Sequence, residues 1–206
     1  MLTPTTENLI FDFGGVIMDL HTEKTYEAFA QLAGVPTETI REKVKQSSFF
    51  NDYEKGLMPD DQFRDHVRRM LKADLTDQQI DDAWNAMLGI IPLKRLQLLE
   101  KLRTNYKVFL LSNTNNIHLT FFNGIIRTVG QKPSLDEFFD QAYYSHLVNM
   151  RKPDPEIFEH VVAENKLNAA RTLFLDDNAD NLRGAEHVGL QTVHITYPDL
   201  IFSIFP

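Results

Sequence analysis

Three short apolar runs in this chain each stop abruptly at acidic or small polar residues. Leu9-Ile10-Phe11 leads into Asp12-Phe13-Gly14-Gly15, Val108-Phe109-Leu110-Leu111 into Ser112-Asn113-Thr114-Asn115, and Leu173-Phe174-Leu175 into Asp176-Asp177-Asn178. Strands covered on both faces read as continuous apolar runs, the pattern of a parallel sheet. Ligand sites in such sheets form outside the carboxyl ends of the strands. Side by side, these runs would deliver carboxylates, a hydroxyl and amides to one crevice. That chemistry suits an anion and a hard metal ion.

Helical periodicity fills the stretch after the first run. Tyr26, Phe29, Ala30 and Ala33 share a face that ends at Gly34. Pro59 is expected at a first helical position, ahead of Phe63, Val67, Met70 and Leu71. Thr76 and Gln79 form a capping box for a helix carrying Ile80, Ala83, Trp84, Met87 and Leu88. From Pro92 onward helices and strands alternate. Leu93, Leu96, Leu99 and Leu102 mark a helix before the run at Val108, and Ala142-Tyr143-Tyr144-Ser145 is a weaker strand. Pro155 starts a helix with Ile157, Phe158, Val161 and Val162 inward; Leu182, Ala185 and Val188 mark another, stopped by Gly189. Gln191 to Ile195 closes the series. The pattern predicts an α/β fold with a doubly wound parallel sheet. Its core is residues 1–19 and 92–206. A small all-helical cap, residues 20–91, is inserted above the carboxyl edge of the sheet. In the long 116–141 connection, Phe121, Phe122, Phe138 and Phe139 are expected to pack on the core.

The chain has 206 residues and a net charge of −8, which argues against a nucleic-acid surface. It has no cysteine, so disulfides, thiolate metal sites and cysteine nucleophiles are excluded. No apolar stretch approaches the ~20 residues of a membrane span. The start, Met1 to Glu7, lacks the basic region and apolar core of a signal peptide. A cytoplasmic protein is expected, monomeric or homodimeric, with neither nucleic acid nor membrane as partner.

Asp12, placed before two glycines, suits a nucleophile, a metal ligand, or both; the plainer role is a turn cap. Asp176 and Asp177 offer all-oxygen ligands that favour Mg²⁺ over zinc; Asp177 or Asn178 could instead cap the next helix. Ser112-Asn113-Thr114 offers a hydroxyl and free backbone N–H groups to phosphate oxygens, or a helix cap. Lys152, between Arg151 and Pro153, is either a fixed positive charge or a solvated loop lysine.

Together, in this order, the strings resemble the haloacid dehalogenase superfamily in its phosphatase branch, over nearly the whole chain. Ile10-Phe11-Asp12-Phe13-Gly14-Gly15-Val16, Leu111 to Asn115 and Asp176 to Asn181 are similar to motifs of bacterial glucose 1-phosphate phosphatases and of soluble epoxide hydrolase phosphatase domains. The resemblance implies a Rossmann-like core with a helical cap, and phosphoryl transfer through an aspartyl-phosphate. It makes Asp12 the nucleophile. Asp12, the Gly14 carbonyl and Asp177 would hold Mg²⁺, with Asp176 in or near its shell. Ser112, the Asn113 N–H and Lys152 would bind the phosphoryl oxygens, and Lys152 would neutralise them. Glu54-Lys55-Gly56 resembles a cap loop that reaches the substrate, which places Glu54 in substrate binding. The expected substrate is a small phosphorylated metabolite, with a sugar phosphate such as glucose 1-phosphate favoured.

One position departs from the pattern. Many phosphatases of this superfamily carry a second Asp two residues after the nucleophile to protonate the leaving group; here it is Gly14. General acid catalysis is worth ~10²–10⁴-fold. Three readings stay open. They are an enzyme for better leaving groups, another group such as Asp19 or His21 in the acid's role, and a chain that only binds phosphometabolites. A haloacid dehalogenase is a further alternative, against which the Asp176-Asp177 doublet speaks. Phe49, Phe50 and Tyr53 read as packing ahead of sugar stacking, and the apolar tail from Leu200 to Phe205 as cover for the sheet edge.

Overall fold

The computed structural model describes residues 3–206. Five strands form one sheet: β1 (Asn8–Phe11), β2 (Lys107–Ser112), β3 (Gln141–Tyr144), β4 (Thr172–Asp176) and β5 (Gln191–His194). All neighbours are parallel in the order β3-β2-β1-β4-β5, as the apolar runs predict. Successive residues of a strand face opposite sides. Leu9, Phe11, Val108, Leu110, Leu173 and Leu175 therefore enter one core, and Ile10, Phe109, Leu111 and Phe174 another. Burial on both faces is why the runs are continuous. Phe11 lies opposite both Leu110 and Leu175, so Asp12 and Asp176 leave the sheet at one level.

Six helices lie between β1 and β2, and the first five form the insertion: α1 (Thr22–Ala33), α2 (Thr37–Lys45), α3 (Phe49–Glu54), α4 (Asp60–Leu71) and α5 (Asp77–Asn85). They enclose their own core around Phe29, Phe63 and Trp84. The Tyr53 and Phe63 rings stack there at 4.1 Å, so packing claims Tyr53. Emptying the fully buried Phe63 site would cost about 3–5 kcal/mol. The capping box at Thr76 and Gln79 is present. Pro59 is the N-cap of α4, one residue before the expected position. Helix α5 stops at Asn85, because Met87 and Leu88 belong to the connection back to the sheet. That connection pairs antiparallel with the outgoing one: Asp19 N–H donates to Ile90 O, and His21 N–H to Met87 O.

The remaining helices are α6 (Leu93–Leu102), α7 (Asn116–Val129), α8 (Ser145–Val148), α9 (Pro155–Glu164), α10 (Ala179–His187) and α11 (Ile201–Ile204). Helices α6 and α7 cover one sheet face, α9 and α10 the other. Much of the 116–141 connection is thus helix. Within it Phe122, Phe138 and Phe139 are buried as expected, but Phe121 is 42% exposed because it lies on the outer face of α7. Ser145 starts α8 rather than extending β3, and β5 ends one residue before Ile195. The tail covers a face as well as an edge: the Phe205 ring lies 6.0 Å from that of Phe11 on the central strand. No helix among the described residues is long and apolar enough to cross a membrane.

Candidate active site

The ends of β1, β2 and β4 form the floor of a cavity of about 460 Å³, within the range of small-molecule sites. Asp12, Ser112, Asn113, Lys152 and Asp177 line that floor. Leu20, Tyr26, Phe50, Trp84 and Met87 close it from the helical side. Phe50 thus packs and lines the cavity at once.

Lys152 is 1% exposed, far from a solvated loop lysine. Its Nζ donates to Asp12 Oδ1 at 2.8 Å and to Asp176 Oδ2 at 2.7 Å. The loop between α8 and α9 is held in place by Asn113. The Asn113 side-chain amide donates to Lys152 O at 2.8 Å and accepts from Lys152 N–H at 2.9 Å. Asp176 is fully buried and its oxygens are crowded. Oδ1 accepts from Asn178 N–H and Asn181 Nδ2, and Oδ2 from Lys152 and Asn181. The N-cap of α10 is Asn178, which leaves Asp177 free of that task.

Asp12, Asp176 and Asp177 each present an oxygen within 4.8 Å of the others. Gly15 makes this possible. It adopts φ +75, and a Cβ there would lie 2.2 Å from Asp177 Oδ2. Burial pushes the Asp12 carboxyl up to about 7, with Asp176 and Asp177 adding to the rise and Lys152 opposing it. Asp177 is raised for the same first reason, burial. Lys152 is raised because Asp12 and Asp176 outweigh its burial, so it stays cationic. One buried lysine against three clustered carboxylates leaves negative charge uncompensated. An all-oxygen set with excess negative charge fits a hard divalent cation such as Mg²⁺.

Glu54, at the end of α3, also lines the cavity. Its Oε2 accepts from Arg151 Nη2 at 2.9 Å and from Arg151 Nε at 3.2 Å. The loop after it docks on the Lys152 loop: Lys55 pairs with Asp154 at 3.0 Å, and Asn149 Nδ2 donates to Lys55 O. Asp19 and His21, the candidate replacement acids, do not line this cavity. Asp19 is drawn to the buried Arg95, 2.7 Å away, which also donates to Ile17 O and Asp199.

Sequence reasoning missed Arg151 as a cavity residue, and Asn181, which braces Asp176. It also missed His118 of α7, whose Nε2 meets Trp84 O at 3.1 Å and whose ring stacks on Trp84. Burial lowers His118 to about 4, so it is neutral and donates from Nε2. Asn181 alone lay within a stretch already singled out, Asp176 to Asn181, but its role as a brace for Asp176 was not read there.

A profile of haloacid dehalogenase-like hydrolases matches residues 6–189. A D-ribitol-5-phosphate phosphatase of Bacteroides thetaiotaomicron is 31% identical over 186 residues, 90% of each chain. A crystal structure of a HAD family enzyme from the same organism, in complex with magnesium and inorganic phosphate, is 35% identical. It superposes with a TM-score of 0.81 and covers 92% of this chain and 93% of its own. A predicted HAD-like hydrolase from Porphyromonas gingivalis gives a TM-score of 0.83 at 32% identity, covering 92% of this chain and 91% of its own.

Proposed function

Since the chain belongs to the haloacid dehalogenase-like hydrolase family, we propose that it is a Mg²⁺-dependent phosphatase of small phosphorylated metabolites, with sugar and polyol phosphates favoured. The observation that carries this reading is the buried Lys152 shared by Asp12 and Asp176, with Asp177 beside them, on the floor of a metabolite-sized cavity. The D-ribitol-5-phosphate phosphatase relative supports a polyol or sugar phosphate ester without choosing between ribitol 5-phosphate and glucose 1-phosphate.

Asp12 is the nucleophile. Its carboxylate attacks phosphorus in line, forms an aspartyl-phosphate, and is freed when water hydrolyses it. Mg²⁺ held by Asp12, the Gly14 carbonyl and Asp177 would supply positive charge that offsets the repulsion between carboxylate and phosphate dianion. Lys152 adds a fixed cation, and Ser112 and the Asn113 N–H hold phosphoryl oxygens. Asp176, already saturated with hydrogen bonds, orients Lys152 and would lie in or near the shell of a bound ion. Residues 20–91 act as the cap that keeps water from the reacting atoms, and 1–19 with 92–206 as the core.

Phosphate release from a panel including ribitol 5-phosphate and glucose 1-phosphate, with and without Mg²⁺, tests the reading. Turnover that needs both Mg²⁺ and Asp12 is expected. Equal rates for wild type and Asp12→Asn remove Asp12 as nucleophile, and binding without turnover leaves a phosphometabolite-binding protein.

A further inference from the structure

In-line transfer sets the attacking and leaving oxygens on opposite sides of phosphorus. Asp12 rises from the sheet, so the leaving oxygen faces the helical unit. Gly14 offers it no acid, and Asp19 and His21 lie outside the cavity. The neutral His118 does line it, but Nε2 is bound to Trp84 O and Nδ1 faces Asn115 Nδ2 at 3.2 Å. Asp177 belongs to the carboxylate cluster. On the helical side, Glu54 supplies the one carboxyl among the cavity-lining residues.

Glu54 is built for more than contact. Both Arg151 bonds fall on Oε2, and among the described residues no hydrogen bond reaches Oε1. Its side chain is 25% exposed and lines the cavity. Burial raises its pKa despite Arg151 and Lys152 nearby. One oxygen is therefore anchored by a guanidinium while the other is left for a proton.

On the reading of this site as a phosphatase, we propose that Glu54 is the general acid that protonates the leaving oxygen, in place of the side chain absent at Gly14. As the Asp12–phosphorus bond forms and the ester P–O bond breaks, the ester oxygen takes the Glu54 proton and departs as an alcohol. The Glu54 carboxylate that remains is held by Arg151. It then takes a proton from the water that attacks the aspartyl-phosphate, which restores the acid as inorganic phosphate forms.

Leaving-group dependence tests this. p-Nitrophenolate leaves without a proton; the benzyl alkoxide needs one. Single-turnover alcohol release from p-nitrophenyl phosphate and benzyl phosphate is measured for wild type, Glu54→Gln and Glu54→Asp. Glu54→Gln should lower benzyl alcohol release by roughly 10²–10⁴-fold and p-nitrophenol release by a clearly smaller factor. Glu54→Asp should recover part of the benzyl rate. A melting temperature near that of wild type shows that each variant is folded. Equal loss on both esters, or no loss on either, overturns the assignment while the phosphatase reading stands. Wild-type protein that releases neither alcohol overturns that reading, and this one with it.

Discussion

The side-chain amide of Asn113 clamps the main chain of Lys152 at both its N–H and its C=O, at 2.9 and 2.8 Å. The residue just past β2 thereby fixes a backbone position 39 residues later in the chain. The clamp sets the point from which the Lys152 side chain reaches Asp12 and Asp176. Asn113→Ala should cost about 1–3 kcal/mol of stability. Turnover should fall by on the order of 10²-fold, through kcat more than KM, because the cation is misplaced and the cavity is not. Steady-state kinetics beside a melting curve check this; unchanged kcat would mean that Lys152 needs no such support.

Gly15 is a second point of close approach. A Cβ there falls 2.2 Å from Asp177 Oδ2 at a φ of +75. Gly15→Ala should push Asp177 away from Asp12 while the distant sheet core persists. The expected result is a rise of about 10–100-fold in the Mg²⁺ concentration for half-maximal activity, comparable to loss of a group that orients a metal ligand. Wild-type Mg²⁺ dependence in a well-folded variant would show that Asp177 adapts.

The raised Asp12 carboxyl gives a signed pH effect. Between its ordinary 3.8 and about 7, the folded protein binds a proton that the unfolded chain does not. This group's contribution to stability therefore falls as pH rises through that window. In metal-free buffer the melting temperature of Asp12→Asn should gain on wild type from pH 4 to 7. Mg²⁺ should then restore wild type selectively above pH 7. Parallel curves for the two proteins would count against the assignment.

His118 carries the opposite sign. Burial lowers it from 6.5 to about 4, so the unfolded chain binds the proton first. Its contribution is present above pH 6.5 and is lost as pH falls toward 4. His118→Gln should melt below wild type at pH 7.5, with the deficit shrinking as pH drops to 4.5. A deficit that is constant across that range would mean His118 titrates normally.

Apolar runs broken by Asp12, Ser112 and Asp176 were readable because a doubly covered parallel strand tolerates no polar residue until it ends. The helical insertion, the capping box at Thr76 and the acidic doublet were legible for the same reason: each is a local pattern within a few residues. The partners of Lys152, the clamp by Asn113, the brace at Asn181 and the pairing of Glu54 with Arg151 were not. They join residues between 5 and 140 positions apart along the chain, and no spacing rule encodes which distant side chains converge. Nor could the order of residues show that Asp19 turns away to Arg95 while Glu54 is tied to Arg151, since packing of the helical unit on the sheet decides which cation each carboxyl meets.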